Sequence, residues 1–480
     1  MLVQDERPPA RKPARIITAP GSAVVTPSPA APPGQSPVPN GGLEAWLQVV
    51  GSWVILWETW GLVNTFGVFQ AYYESNLPSH NLSSDVSWIG SVQGCMLMLL
   101  GPIAGTLYDA GYFRQLLIGG LFLIIFGQFM TSLAREYYQV VLAQGLCAGT
   151  GMGLTFLPTT AILSQYFSGG RLALVLGLAS SGSPMAGIIF PIIFSKIQMT
   201  LGFSWATRVI AFILLGLSVV PIAAMHTRHT TAGEPGEADG HPQRPKSRRA
   251  LFDPTVLRNP ALMVFTAGSF FFFLTLYIPF FYIQVFAEKH GMASATGFAP
   301  YLVTLLNVGS VFGRILPNAL AGLFGSIRMA TACASVSAVL AFCWLAIPRT
   351  RDIGGLIAFA LLYGGFSGGI VSLAPSVVVE LSPEDLSRVG TRLGMVFMVQ
   401  GVALLVGPPI AGAILGDFSA SGWVGTIAFG AAGLSLASVL LTASAVLDWK
   451  RDAARQSFNH VPDRKPGTPA QLALLRMMRW

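Results

Sequence analysis

Long apolar runs separated by short polar interruptions dominate the chain. Twelve such runs lie at approximately 46–70, 87–108, 114–133, 138–165, 172–195, 206–225, 261–286, 299–321, 329–347, 353–378, 393–415 and 423–447. A helix of roughly 20 apolar residues is what crosses a hydrocarbon core of about 30 Å. The runs are continuously apolar and rich in glycine, without the alternation that membrane barrel strands of about 10 residues show. Hydrocarbon admits only helices and closed barrels, because every backbone polar group must be satisfied internally. The pattern therefore predicts an all-α membrane protein with twelve transmembrane helices.

The polar segments divide these runs into six and six. Residues 1–43 carry prolines at 8, 9, 13, 20, 27, 29, 32, 33, 37 and 39 with few large apolar side chains, a composition that cannot build a core. This predicts a disordered cytoplasmic tail over 1–43 and a six-helix half over 44–225. A flexible central loop follows over 226–259, then a second six-helix half over 260–448 and a basic tail over 449–480. Faint internal symmetry supports two related halves. Gly111 and Arg114 match Gly325 and Arg328, and the segment from Gly182 through Gly187 resembles that from Gly407 through Gly412.

Composition agrees with the pattern, since 52% of residues are apolar and 10% charged, too few charges to cover a water-soluble protein of this size. Charge adds an orientation. With both termini and the central loop cytoplasmic, 22 of the 29 Lys and Arg lie inside, six outside and one, Arg314, within a span, as the bias of basic residues toward the cytoplasm requires. The net charge of +8 then follows from topology, with Arg244, Lys246, Arg248, Arg249, Arg451, Arg455, Arg464 and Lys465 facing anionic lipid rather than nucleic acid. The plasma membrane is the expected location. Cys95, Cys147, Cys333 and Cys343 read as buried packing thiols, and the histidines at 80, 226, 229, 241, 290 and 460 all lie outside the runs. No metal site, cofactor motif or catalytic constellation is expected, and the chain does not read as an enzyme. Gly145, Gly149, Gly151 and Gly153 lack the lysine and the strand of a phosphate loop and read as a packing face.

Between the second and third runs, Gly105, Asp109, Gly111 and Arg114 form a GxxxDxGxxR pattern that resembles the loop motif of the major facilitator superfamily. Asp109 and Arg114 can form a charge latch there, and the glycines allow close helix approach. The segment from Asn40 through Trp46 resembles the entry motif of the monocarboxylate transporter family, with Asn40 in place of an acid. The stretch from Trp60 through Gln70 is similar to the fungal branch of that family. Tyr166 and Phe167, with Arg171, Leu172 and Ala173 through Gly182, resemble its second motif, although Gly169 and Gly170 stand where basic residues are usual. The resemblance implies a major facilitator fold and a secondary transporter of a small organic anion.

Arg314 is the most informative single residue. A guanidinium within hydrocarbon costs at least a few kcal/mol and persists where it faces a cavity; it can also hold a carboxylate through two parallel hydrogen bonds. The plainer reading is a side chain that reaches back to the membrane surface. By resemblance, Arg314 occupies the place of the family's substrate-binding arginine. The family's acid one turn earlier is Ser310 here, and its first-helix lysine is Asn64. Glu58, twelve residues beyond Trp46, lies about 18 Å along the first helix, near mid-membrane, and is a candidate proton carrier; a neutral glutamic acid bonded to a neighbouring helix is the alternative. Tyr282, with Gln93, Tyr277 and Gln284, supplies polar groups for a mostly apolar site, or interhelical contacts. Asn81 begins an Asn-Leu-Ser sequon in a predicted external loop.

The leading expectation is alternating-access transport of a monocarboxylate-like anion, with Glu58 as the candidate carrier of a coupled proton. Alternatives are export of a fungal secondary metabolite, uptake of a neutral vitamin-like solute, and a nutrient sensor built on a transporter fold.

Overall fold

In a computed structural model the described residues are 39–76, 83–168, 170–227, 253–292, 298–347, 353–382 and 389–459. Among them every regular element is helical. Ten helical stretches are long and apolar enough to cross a membrane, and twelve crossings follow from two local features. The first span is broken at Thr59 into Leu43–Glu58 and Trp60–Asn76, each shorter than a crossing by itself. The fifth and sixth run together as Gly182–Ala224, reversing at Gly202, whose φ of 78° and ψ of 175° are outside the helical range.

The breaks are local. At Thr59 the backbone leaves the helical range, with φ of −94° and ψ of −86°, while its N–H and its hydroxyl both donate to the Ile55 carbonyl, at 2.9 and 2.8 Å. The seventh span stops at Leu276 and restarts at Ile278, because Pro279 lacks an N–H and its ring clashes with the carbonyl four residues earlier. The Leu276 carbonyl at this break accepts from the Tyr363 hydroxyl at 2.9 Å, which satisfies that group away from water. The fourth span passes through a π-helical segment, Val141–Ala148. Gly145, Gly149 and Gly153 then face Ile89, Gln93 and Met96 of the second span, and Gly151 faces Gly120 of the third. Close helix packing is what these glycines serve.

The remaining spans are Ser83–Leu99 with Gly101–Asp109 (second), Phe113–Thr131 (third) and Tyr137–Tyr166 (fourth). Gly170–Ser180 opens the fifth. In the second half they are Ala299–Phe324 (eighth), Ser326–Trp344 (ninth), Ile353–Glu380 (tenth), Val389–Leu415 (eleventh) and Ala420–Asn459 (twelfth). The twelfth continues well beyond the expected boundary at 448, held by Arg451, which bonds Asp448 at 2.5 Å and the Leu381 carbonyl at 3.2 Å. Cys343 departs from the expectation of a buried thiol, being exposed on the flank, while Cys95 and Cys333 are buried.

The two halves repeat one another in detail. Gly111 and Gly325 both take left-handed backbone, with φ of 95° and 90°, a conformation glycine adopts without steric penalty. A side chain at Gly182 would meet the backbone of Trp53 in the first span, and one at Gly407 would meet that of Leu274 in the seventh. Gly187 faces Asn307 in the eighth span, and Gly412 faces Ser84 in the second. The fifth and eleventh spans thus each bridge from their own half to the other.

The face carrying the Gly111 and Gly325 turns, here called inner, holds a matching pair of clasps. Asn40 accepts from the Ser168 N–H at 2.8 Å, and its carbonyl accepts from Arg171 at 2.7 Å. Trp46 packs edge-on against Phe167 at 5.8 Å. In the second half Arg392 donates to Asp253 at 3.1 Å and to Thr255 at 3.1 Å. Both members of that ion pair are buried. Removing one partner of a buried pair typically costs about 3–5 kcal/mol, because the other charge is left uncompensated. Asp253→Asn is therefore expected to lower the melting temperature of the detergent-solubilised protein by several degrees, and Asp253→Asn with Arg392→Gln by less than the single change. A double variant no more stable than the single one would contradict the pairing.

Candidate functional site

Between the halves lies a cavity lined by residues of both. Its walls come from both halves: Leu56 and Trp60 of the first span, Phe156 and Leu163 of the fourth, Phe273 of the seventh, and Phe397 of the eleventh. Each lining residue lies between the middle of its helix and the inner end. Aromatic contacts run along the wall from Tyr277, stacked on Trp60 at 6.4 Å, through Phe156, edge-on to Trp60 at 5.8 Å, to Phe397 at 5.6 Å from Phe156.

Toward the outer face the halves close on one another. Phe66 meets Phe281 at 4.7 Å, and the Tyr282 hydroxyl lies 2.5 Å from the Ser87 hydroxyl while donating to the Pro408 carbonyl at 3.0 Å. Ser84 donates to the Pro409 carbonyl at 3.0 Å. Gly67 packs directly against the Phe280 carbonyl. These contacts join the first and second spans to the seventh and eleventh.

Arg314 lines the cavity and is only 3% exposed. Its Nε donates to Ser310 at 3.3 Å, and among the described residues no carboxylate pairs with it. A buried cation without an anion is unfavourable, so the geometry provides a place where a bound anion would be stabilised. The backbone beneath is fixed: Asn318 donates to the Arg314 carbonyl at 2.8 Å and to Ser372 at 2.7 Å.

The other sequence candidates are dispersed. Asn64 is outside the cavity lining, behind its outer wall, donating to Ser183 at 3.4 Å and accepting from Tyr277 at 3.2 Å. Tyr282 belongs to the outer closure. Glu58 is fully buried but faces the sixth span, where both carboxylate oxygens accept from Ser218 at 3.1 Å. Gln93 donates to the Met152 sulfur at 3.8 Å and Gln284 to Glu288 at 3.0 Å. Arg114 donates to the Ile222 carbonyl at 3.0 Å, tying the second-to-third turn to the end of the sixth span. Gly105 faces Leu157. The side chain of Asp109 and the sequon at Asn81 lie outside the described residues.

Gln400 was not among the sequence candidates, yet it lines the cavity, and among the described residues neither its amide oxygen nor its nitrogen has a hydrogen-bond partner. A lone amide inside the apolar run 393–415 is the signal that could have found it, as it found Gln93.

A family model described as Major Facilitator Superfamily matches residues 59–386. The chain is 43% identical to the MFS-type transporter dbaD of Emericella nidulans over 391 residues, covering 82% of this chain and 84% of the relative. It is 33% identical to the aspyridones efflux protein apdF of the same organism over 430 residues, covering 89% and 83%. The crystal structure of the nucleoside transporter NupG superimposes with a TM-score of 0.62 at 14% identity, over 84% of this chain and 99% of that one, a likeness of fold alone.

Proposed function

The chain belongs to the major facilitator superfamily, and on that premise we propose that it exports an apolar organic acid of the secondary-metabolite kind by alternating access. The cavity carries this reading. It is walled by aromatic and aliphatic side chains, with Arg314 as its cation. Relatives such as the aspyridones efflux protein support export, and the family resemblance to monocarboxylate transporters accounts for the arginine without requiring a lactate-sized solute. The excess of basic residues on the inner face supports a cytoplasmic inner face, and in this reading the cavity lies toward the side from which an exporter loads. In this reading the segments 1–43, 226–259 and 449–480 are all cytoplasmic, their basic clusters lie against anionic lipid, and the membrane is the plasma membrane.

Glu58 is not among the residues that line the cavity, and in this reading solute movement does not run through its proton. Glutamine keeps the acceptor for Ser218, and Glu58→Gln is expected to retain counterflow within about twofold of wild type, with or without a pH gradient. The assay is counterflow of labelled 2-naphthoate and of labelled lactate in proteoliposomes. Naphthoate flux without lactate flux is expected. Lactate flux alone would reinstate the monocarboxylate reading, and binding without flux would indicate a sensor.

A further inference from the structure

The hydroxyl donors around the cavity are already committed. Thr160 donates to the Leu157 carbonyl at 2.9 Å and Ser180 to the Gly177 carbonyl at 2.9 Å. Ser372 donates to the Gly369 carbonyl at 3.0 Å while accepting from Asn318 at 2.7 Å. Phe156, Phe273 and Phe397 offer only ring surface. Among the lining side chains, the hydrogen-bonding capacity left over lies at the guanidinium of Arg314, the indole N–H of Trp60 and the side-chain amide of Gln400, and of these only the amide offers an acceptor.

Gln400 is completely buried, and among the described residues neither of its polar atoms has a partner. Leaving a buried amide unsatisfied costs about 1–3 kcal/mol per group, and native interiors hold few such groups without a reason. Two features show that the glutamine is placed rather than merely tolerated. It lines the same cavity as Arg314, and the next residue, Gly401, packs against Met98 and the backbone of the second span, which fixes the helix surface from which the amide projects. A primary amide has an acceptor oxygen and a donor nitrogen side by side. A ligand that satisfies both must present a donor and an acceptor side by side as well.

Resting on the export reading above, we infer that Gln400 is the specificity-determining residue of this cavity. Its ligand class is an aromatic or conjugated monoanion that carries, apart from the acid group held by Arg314, a paired donor and acceptor such as an amide, a lactam or a vinylogous acid. The aromatic wall takes the ring system, Arg314 the charge, and Gln400 the neutral pair. A site built to hydrogen-bond a group rejects analogues lacking it much more strongly than an apolar pocket rejects a missing methylene, because its own polar atoms are then left unpaired.

Binding of 2-naphthoate, 3-carbamoyl-2-naphthoate, 6-carbamoyl-2-naphthoate and 2-naphthamide to the purified full-length protein tests this. Tryptophan fluorescence provides the readout, since Trp60 lines the cavity. Wild type is expected to bind at least one carbamoylnaphthoate about tenfold or more tightly than 2-naphthoate, as two new hydrogen bonds would give. Gln400→Leu and Gln400→Met are expected to bind the amide-bearing and plain anions alike, and Arg314→Gln to lose affinity for all three anions while keeping a preference for the amide. A wild-type protein that binds naphthoate without preferring either amide overturns the role of Gln400 and leaves the export reading intact. So does a preference that survives in a folded Gln400 variant. Failure of wild type to bind any of the anions overturns the export reading itself, and the ligand class with it.

Discussion

Arg314→Leu is expected to lower organic-anion counterflow by about 100-fold or more, since two charge-assisted hydrogen bonds of roughly 1.5–3 kcal/mol each are lost. The same change is expected to raise thermal stability. Arg314 is 3% exposed and has no carboxylate partner among the described residues, so its charge is a burden on the unloaded protein. Leucine in its place packs among Leu56, Leu163 and Val371, which line the same cavity. Activity falling while stability rises separates loss of a binding group from loss of the fold. Arg314→Lys is expected to fall between, losing about tenfold or more, because an ammonium cannot present the planar fork that grips a carboxylate. Counterflow in proteoliposomes and a thermal melt of the same preparations check both signs. An Arg314→Leu protein that transports normally, or that melts lower than wild type, contradicts a role in anion binding.

The architecture was readable from sequence because bilayer physics constrains it so tightly. A run such as 353–378 could be nothing but a crossing, and it appears as Ile353–Glu380. Boundaries were less legible where a helix continues as an amphipathic surface, as the twelfth span does to Asn459. The break at Thr59 was invisible because the kind of hydroxyl bond that accompanies it, back to the Ile55 carbonyl, also occurs in helices that run on unbroken, as at Thr65 and Thr331. Arg314 could be found because charge within an apolar run is expensive wherever it lies. A neutral amide in an apolar run marks a position without assigning it to the cavity. Asn64, Gln93 and Gln400 look alike in sequence, and only the packing of neighbouring helices decides that Asn64 bonds Tyr277, Gln93 bonds Met152, and the Gln400 side chain bonds none of the described residues. Glu58 shows that charge marks importance without marking the site, since its partner Ser218 lies 160 residues away in sequence and faces away from the cavity.

The motif residues of the first half gained a shared meaning in three dimensions. Asn40 stands where the monocarboxylate transporter motif that this segment resembles has an acid, and it bonds Ser168 and Arg171 directly. The second half keeps an acid in the corresponding clasp, Asp253 with Arg392. The two halves therefore hold their entry helices by a neutral acceptor on one side and an ion pair on the other. Two motifs separated by well over a hundred residues are one structural device, and its repeat in the second half carries no sequence signature that would have announced it.

Closure of the outer face depends on a glycine that has no room for a side chain, which gives the last and most state-selective prediction. A Cβ at Gly67 would press into the Phe280 carbonyl oxygen and lie 3.2 Å from Val303. The obstacle is largely backbone and cannot move aside like a flexible side chain. Gly67 and Phe280 belong to different halves, so the clash arises when the outer face is shut and is relieved when the halves part. Overpacking costs about 1–3 kcal/mol even where side chains can adjust, and 3 kcal/mol is a shift of roughly 150-fold between two states. Gly67→Val is accordingly expected to abolish counterflow and to populate an outward-open state. Amide hydrogen exchange should then rise across Trp60–Asn76 and Ile278–Lys289. Gly313 supplies the contrast, because a Cβ there would meet the backbone of Gly365 within the same half. Gly313→Ala is expected to lower the melting temperature without selectively exposing the outer segments. If Gly67→Val behaves like Gly313→Ala, destabilised overall and with no local rise in exchange at the outer face, then the contact is ordinary packing and not part of the gate.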